Sequence, residues 1–254
     1  AMNLIGYGAE ALDFFHFVRD CVHRRDRLDL MVSIHGGDSA EEQVLGHLAG
    51  HRGTGNVRIG NAATHQVQLD ITGPLLDATD LYERSGGIIS LRFWREIRRL
   101  VDETADTIGD PDHGIWEPRS EPQHHVHSKL MAWVALDRAL QLAPLFGGDE
   151  HQERWRAARE EVRQDILERG FNSKLGSFVN AYGSKDVDAA LLLFPIYGFL
   201  PPNHSCVTGT LDRVIRDLSD GRYLRRYRGD DGIGADEGGF LLCGFWLAEA
   251  LALA

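Results

Sequence analysis

Residues 113–138, HGIWEPRSEPQHHVHSKLMAWVALDR, hold the densest set of reactive side chains in the sequence. Glu117 follows Trp116, and an indole beside a carboxylate makes the charged form harder to hydrate. A carboxyl held partly neutral in this way can donate a proton to a departing oxygen, as glycosidic cleavage requires. Arg119 offers a cation two residues on, and Gly114 and Pro118 mark the stretch as a loop. Aromatic faces meet the C–H surfaces of sugars, while charged and amide groups bond their hydroxyls, so this set suits a carbohydrate. A bare surface carboxylate paired with Arg119 is the plainer alternative.

His124, His125 and His127 raise a second chemistry, a zinc site. Zinc needs two ligands three or four apart on one helix face and a third from elsewhere. His124 and His127 have the spacing, but no HExxH, cysteine partner or carboxylate pair completes the set. The expectation is therefore no metal and no cofactor. Arg58 and Asn61 sit where a loop enters a helix. The stretch DDGIGADEGGF, 230–240, gathers carboxylates and glycines without calcium-loop spacing, and Glu237 suits the start of the following helix.

These groups must be positioned by helices, because apolar residues recur at three and four almost throughout. The pattern predicts about eight helices, over residues 9–25, 61–84, 90–108, 127–145, 150–169, 186–200, 206–218 and 237–254. Ser90 and Asp186 read as N-caps. Short strands are expected near 28–34 and 176–182. Segments 188–200 and 238–254 are apolar nearly all round and so belong inside other helices. The charged helix 150–169 belongs outside. The expected architecture is all-α, one domain over 1–254, built from helical hairpins in two layers.

Composition narrows the partners. Hydrophobic residues make up 43% and charged residues 26%, as in ordinary globular proteins, and the 254 residues suffice for a sizeable core. Acidic side chains outnumber basic ones by 38 to 27, a net charge of -11, which argues against nucleic acid or an anionic membrane as main partner. Three cysteines without ligand spacing fit free thiols in a reducing compartment, and no apolar run approaches membrane-spanning length. Cytoplasmic is the resulting expectation.

Five ordered blocks carry a family resemblance: VRIGNAATHQVQLD, GIWE, HSKLMAWVALDRAL, SFVNAYGSKDVDAALLLFPIYGFLPP and EGGFLLCGFWLAEAL. Together they resemble glycoside hydrolase family 15, and within it the bacterial glucoamylase-like and trehalase branch. The resemblance implies an (α/α)6 barrel, here incomplete at both ends, with its site at the mouth of the inner ring. It implies an inverting hydrolase of α-glucosidic bonds, acting on trehalose or short α-glucans, with Glu117 as general acid. Trp116 would line the glucose subsite, and Arg58, Asn61, Arg119, His127, Lys129 and Glu237 fall in segments that contact sugar or shape the site. His125 and Val126 stand where the family usually has Phe and Thr. The family's general base lies beyond the FLLCGFWL helix, so low activity is expected of this chain alone. A non-catalytic carbohydrate-binding or structural remnant is the rival reading. Self-association through an open barrel edge is a further expectation, with Leu12, Phe14, Phe15, Phe17, Phe245, Trp246 and Leu251 as candidate contacts.

Overall fold

The computed structural model describes residues 5–25, 28–53, 55, 57–148, 150–229 and 238–254. The helices are α1 (Gly8–Arg25), α2 (Thr72–Arg84), α3 (Leu91–Thr107), α4 (Val126–Leu142), α5 (Gln152–Asp165), α6 (Leu193–Ile196), α7 (Ser205–Leu218) and α8 (Leu241–Leu253). Two antiparallel two-residue pairs accompany them: β1 (Gln43–Val44) with β2 (Arg58–Ile59), and β3 (Phe171–Asn172) with β4 (Ser177–Phe178). Among the described residues, no helix is long and apolar enough to cross a membrane.

α4 is the axis of the packing. Every residue from Val126 to Leu136 is buried, and α2, α3 and α5 pack around it. Gly73 permits the α2 contact, because a Cβ there would lie 2.6 Å from the Met131 carbonyl oxygen. α3 is strongly amphipathic and buries Phe93, Trp94, Ile97, Leu100, Val101 and Thr104, one stripe of a 3.6-residue period. Ser90 caps it, its Oγ accepting from the Phe93 amide at 3.2 Å. α5 has the outer position expected of it, burying only Trp155, Ala158 and Val162.

Three expected elements differ. Residues 61–84 do not form one helix. Asn61 caps a 3-10 turn, Ala62–His65, and Gln66 is extended. The following backbone bonds elsewhere: the Leu69 amide donates to Asp112 Oδ2 at 3.0 Å, so α2 starts only at Thr72. Residues 186–200 shrink to a 3-10 turn, Ala189–Leu192, and the single turn of α6. Pro195 lacks an amide to donate, and the chain turns left-handed at Gly198, φ +75°, whose amide donates to the Pro195 carbonyl and ends the helix. Asp186 caps no helix; Asp188 precedes the 3-10 turn instead. The 28–34 strand reduces to a single bridge, Val32 with Asp38.

α8 departs from its expected interior place. Only Cys243 and Ala250 are buried, while Leu241, Leu242, Phe245, Leu251 and Leu253 are exposed. Of the α1 candidates, Phe15 is buried and Phe14 is exposed.

Candidate active site

The loop that leads into α4 is pinned at its base by Asp112. Its backbone bridges Gln123 in both directions, at 2.9 and 2.8 Å. Its Oδ2 accepts from the Leu69 amide and from Ser128 Oγ at 2.8 Å. With no exposure to solvent, Asp112 thereby ties together α4, the loop and the strand of chain entering α2. Within the loop, Gly114 has φ +67°, and a Cβ there would meet the His125 ring at 2.8 Å.

Glu117 also lies in the left-handed region, at φ 53°. An L-residue is held there against a local cost of about 1–2 kcal/mol, and such positions concentrate at functional sites. Three contacts from the 42–66 region hold the loop in place. Asn61 Nδ2 donates to Glu117 Oε2 at 3.1 Å, and Gln66 Nε2 donates to the Pro118 carbonyl at 2.9 Å. Arg119 pairs with Glu42 at 3.2 Å, and Arg58 pairs with the same carboxylate at 3.1 Å. So Arg119 and Arg58 do converge, but on Glu42 rather than on Glu117.

Trp116 turns to the other side. Its indole Nε1–H donates to Asp188 Oδ2 at 3.0 Å. Its ring is flanked by Tyr227 and Trp246, with centroids at 6.0 and 6.1 Å, and the Arg226 guanidinium lies 5.5 Å from its centroid. A cavity of ≈ 200 Å³ opens here, lined by residues that include Trp116, Pro118, His125, His127, Asn180 and Asp188. Glu117 lies between two lining residues without lining the cavity itself.

The polar lining is short of partners within the protein. His125 Nε2, His127 Nδ1, Asn180 Oδ1 and Asp188 Oδ1 are buried without a hydrogen bond. All four residues line the cavity, and buried polar atoms left without a protein partner generally bond to water or a ligand.

His127 is buried, with Nδ1 3.5 Å from Asp70 Oδ2. Burial, with the nearby His125 adding to it, pushes the His127 imidazole down to about 3. Burial, reinforced by Asp112 and then Glu117, pushes the Asp70 carboxyl up to about 7. The pair is therefore neutral through mildly acidic pH. Lys129 is placed away from the cavity lining: its ammonium is buried and donates to the Ile108 carbonyl at 2.6 Å and to that of Asp110, closing the end of α3. Glu237 and Asp231 lie outside the described residues. Among the described residues, no group of three or more His, Cys, Asp or Glu side chains could hold a metal ion.

The raised carboxyl gives a pH prediction. The unfolded chain ionises Asp70 near 3.8, whereas the folded protein keeps it protonated to about 7. The native state binds the extra proton between these values, so this group lowers stability as pH rises from about 4 to 7. His127 acts oppositely, its contribution being lost as pH falls from about 6.5 towards 3. Asp70→Asn should therefore gain stability over wild type between pH 5 and pH 8, on the order of 2–4 kcal/mol. Urea unfolding at the two pH values measures it, and a constant difference would show Asp70 to be ionised in the folded protein throughout.

Sequence reasoning misses Asp188, Asp70, Asn180 and Glu42 as site residues. Asp188 carries a signal there, as the carboxylate immediately ahead of an uninterrupted apolar run, ALLLFP preceded by Ala189.

The sequence model of glycosyl hydrolases family 15 matches residues 1–254. A trehalase from Thermoplasma volcanium is 38% identical over 254 residues, covering 100% of this chain and 41% of that protein. A trehalase from Mycobacterium tuberculosis is 40% identical over 254 residues, covering 97% of this chain and 37% of that protein. The chain thus spans about two-fifths of the length of these relatives. Among solved structures, a glycosidase variant in complex with glucose superposes with a TM-score of 0.77 at 20% identity, over 100% of this chain and 67% of that one. A second glycosidase variant gives 0.80 at 19% identity with the same coverage. At such identity the likeness concerns the fold.

Proposed function

Because the chain belongs to glycosyl hydrolases family 15, with its helices forming part of an (α/α)6 barrel, we propose that it carries the proton donor of an α-glucoside hydrolase site. The substrate is trehalose or a short α-glucan, and Glu117 protonates the departing glycosidic oxygen. The observation that carries this reading is the backbone of Glu117. It is held left-handed between Trp116 and Pro118, with its carboxylate bonded to Asn61, beside a cavity of unpartnered polar atoms.

In this reading Trp116 forms the apolar wall for the sugar ring, and His125, His127, Asn180 and Asp188 meet its hydroxyls. Asn61 orients the Glu117 carboxyl. The Glu42 pairs of Arg58 and Arg119 hold the loop, which makes both arginines supports of the site. Lys129 fixes the end of α3 and, through α4, the depth of the cavity. The reaction inverts the anomeric centre, with a second carboxylate about 6.5–9.5 Å from the first activating water. The test is the anomer released from trehalose, followed by proton NMR before mutarotation. Inversion at one α-linked glucose gives equal amounts of α- and β-glucose at first, whereas retention gives the α form alone.

A further inference from the structure

Asp188 is 4% exposed, yet no cation neutralises it through a salt bridge among the described residues. One oxygen, Oδ2, takes the Trp116 indole N–H at 3.0 Å. The other, Oδ1, has no hydrogen-bond partner and belongs to a residue of the cavity wall. Hydrogen bonding from the Ala190 and Leu191 amides favours the charged carboxylate, although neither amide reaches the geometry of a side-chain cap. The backbone is fixed from both sides: Asp188 bridges Tyr227, and the Ala189 amide donates to the Arg226 carbonyl at 2.7 Å. Those two residues flank the Trp116 ring. One residue therefore sets the indole edge and the segment packed on its face, and carries an unpartnered buried acceptor in the wall of the same cavity.

We propose that Asp188 is a positioning residue of the sugar site, which fixes Trp116 as a stacking wall and offers its second oxygen to a ligand hydroxyl. This rests on the reading of the cavity as a carbohydrate site, but the link from Asp188 to Trp116 can be tested without sugar. An indole held only by packing could rotate about its side-chain bonds. An indole anchored at Nε1 presents one face at one depth, which a stacking contact with a rigid ring requires.

The bond also makes Trp116 a reporter. Burial raises the Asp188 carboxyl to about 7, opposed first by the Trp116 bond. Charging Asp188 strengthens its bond to the indole, since a charged acceptor bonds more strongly than a neutral one. The other charged or titratable groups around this cavity among the described residues are His113, His125 and His127, Asp186, Tyr227, Arg226 and Arg228. Burial lowers His125 from its ordinary range and pushes His127 down to about 3, so His127 stays uncharged across the transition of Asp188.

Nitrogen-15 labelling of tryptophan gives five indole N–H signals, and Trp116→Phe identifies the one from Trp116. The expected result is a downfield shift of that proton with a midpoint near pH 7 in wild type, absent in Asp188→Asn. Trehalose and glucose titrations on the same samples should show affinity weakened by about three- to tenfold in Asp188→Asn, whose amide oxygen still accepts the indole while its NH2 replaces the second acceptor. Asp188→Leu should lose tenfold or more. The four other indole signals report folding, and if Asp188→Leu disturbs them the Asp188→Asn titration decides alone. A Trp116 signal with the same pH dependence in wild type and Asp188→Asn overturns the proposal, as does undiminished sugar affinity in a folded Asp188→Leu. If wild type binds neither sugar while the Trp116 titration depends on Asp188, the carbohydrate reading fails and the anchoring of Trp116 stands.

Discussion

Replacing Glu117 with Gln should lower the rate of trehalose hydrolysis by about 10²–10⁴ with KM changed only a few-fold. General acid assistance is worth that much because the departing glucose oxygen is a poor leaving group until it is protonated. Gln keeps the shape of Glu and an oxygen that can accept the Asn61 bond, so loop and cavity should survive the change. What is lost is a proton that can be given away. A loss confined to kcat marks an interaction made in the transition state, whereas a rise in KM alone would mark simple binding. α-Glucosyl fluoride separates these further. Fluoride leaves without a proton, so the variant should approach wild-type rate on it while remaining slow on trehalose. Equal losses on both substrates would remove Glu117 from the acid's role. Glu117→Gly offers a control for backbone strain, since glycine adopts φ 53° freely and any stabilisation it shows measures the cost of holding Glu there.

The residues that make up this site illustrate what a sequence can show. The Trp-Glu pair in a Gly/Pro loop is local, and so are α3 and α7. For α3 the Ser90 cap and a regular apolar stripe give ends within a residue of those expected, and α7 begins one residue early. Partners are the opposite case. Asn61 reaches Glu117 across 56 residues, Asp188 reaches Trp116 across 72, and Glu42 reaches Arg119 across 77. Neighbours in sequence, Trp116 and Arg119, look like the natural environment of Glu117. The left-handed turn at Glu117 instead accompanies a loop whose successive side chains serve different partners. Segments without a hydrophobic period are equally opaque. Residues 188–200 are apolar nearly all round, so no pattern distinguishes a long helix from the two short turns that end at the left-handed Gly198. Lys129 shows a further limit. Its place on α4 is legible, but its burial under the end of α3 depends on two carbonyls that any residue could supply.

The largest stability effect is expected at Trp155, far from the cavity but under its support. Its side chain has no exposure and packs edge-on against Trp94, with ring centroids 6.3 Å apart at 80°. Its indole N–H donates to Asp102 Oδ1 at 2.9 Å, so one residue joins α5 to α3 by both packing and a polar bond. Trp155→Ala should cost about 3–5 kcal/mol, the range for removing a buried aromatic and leaving a cavity. Trp155→Phe refills most of that volume and should cost less, chiefly the bond to Asp102, about 0.5–1.5 kcal/mol. Asp102 is not stranded by the change, because His151 Nδ1 lies 3.2 Å from its Oδ1. Urea unfolding should show the midpoint falling with an unchanged slope, the mark of lost stability rather than an altered denatured state. The functional consequence follows from α4, which rests on both α3 and α5 and brings His125 and His127 to the cavity. Loosening that support should weaken trehalose binding in Trp155→Ala before the fold melts, with Trp155→Phe close to wild type. If Trp155→Ala loses less than about 1 kcal/mol, the α3–α5 contact does not hold the site and α2 must carry α4 through the Gly73 approach instead.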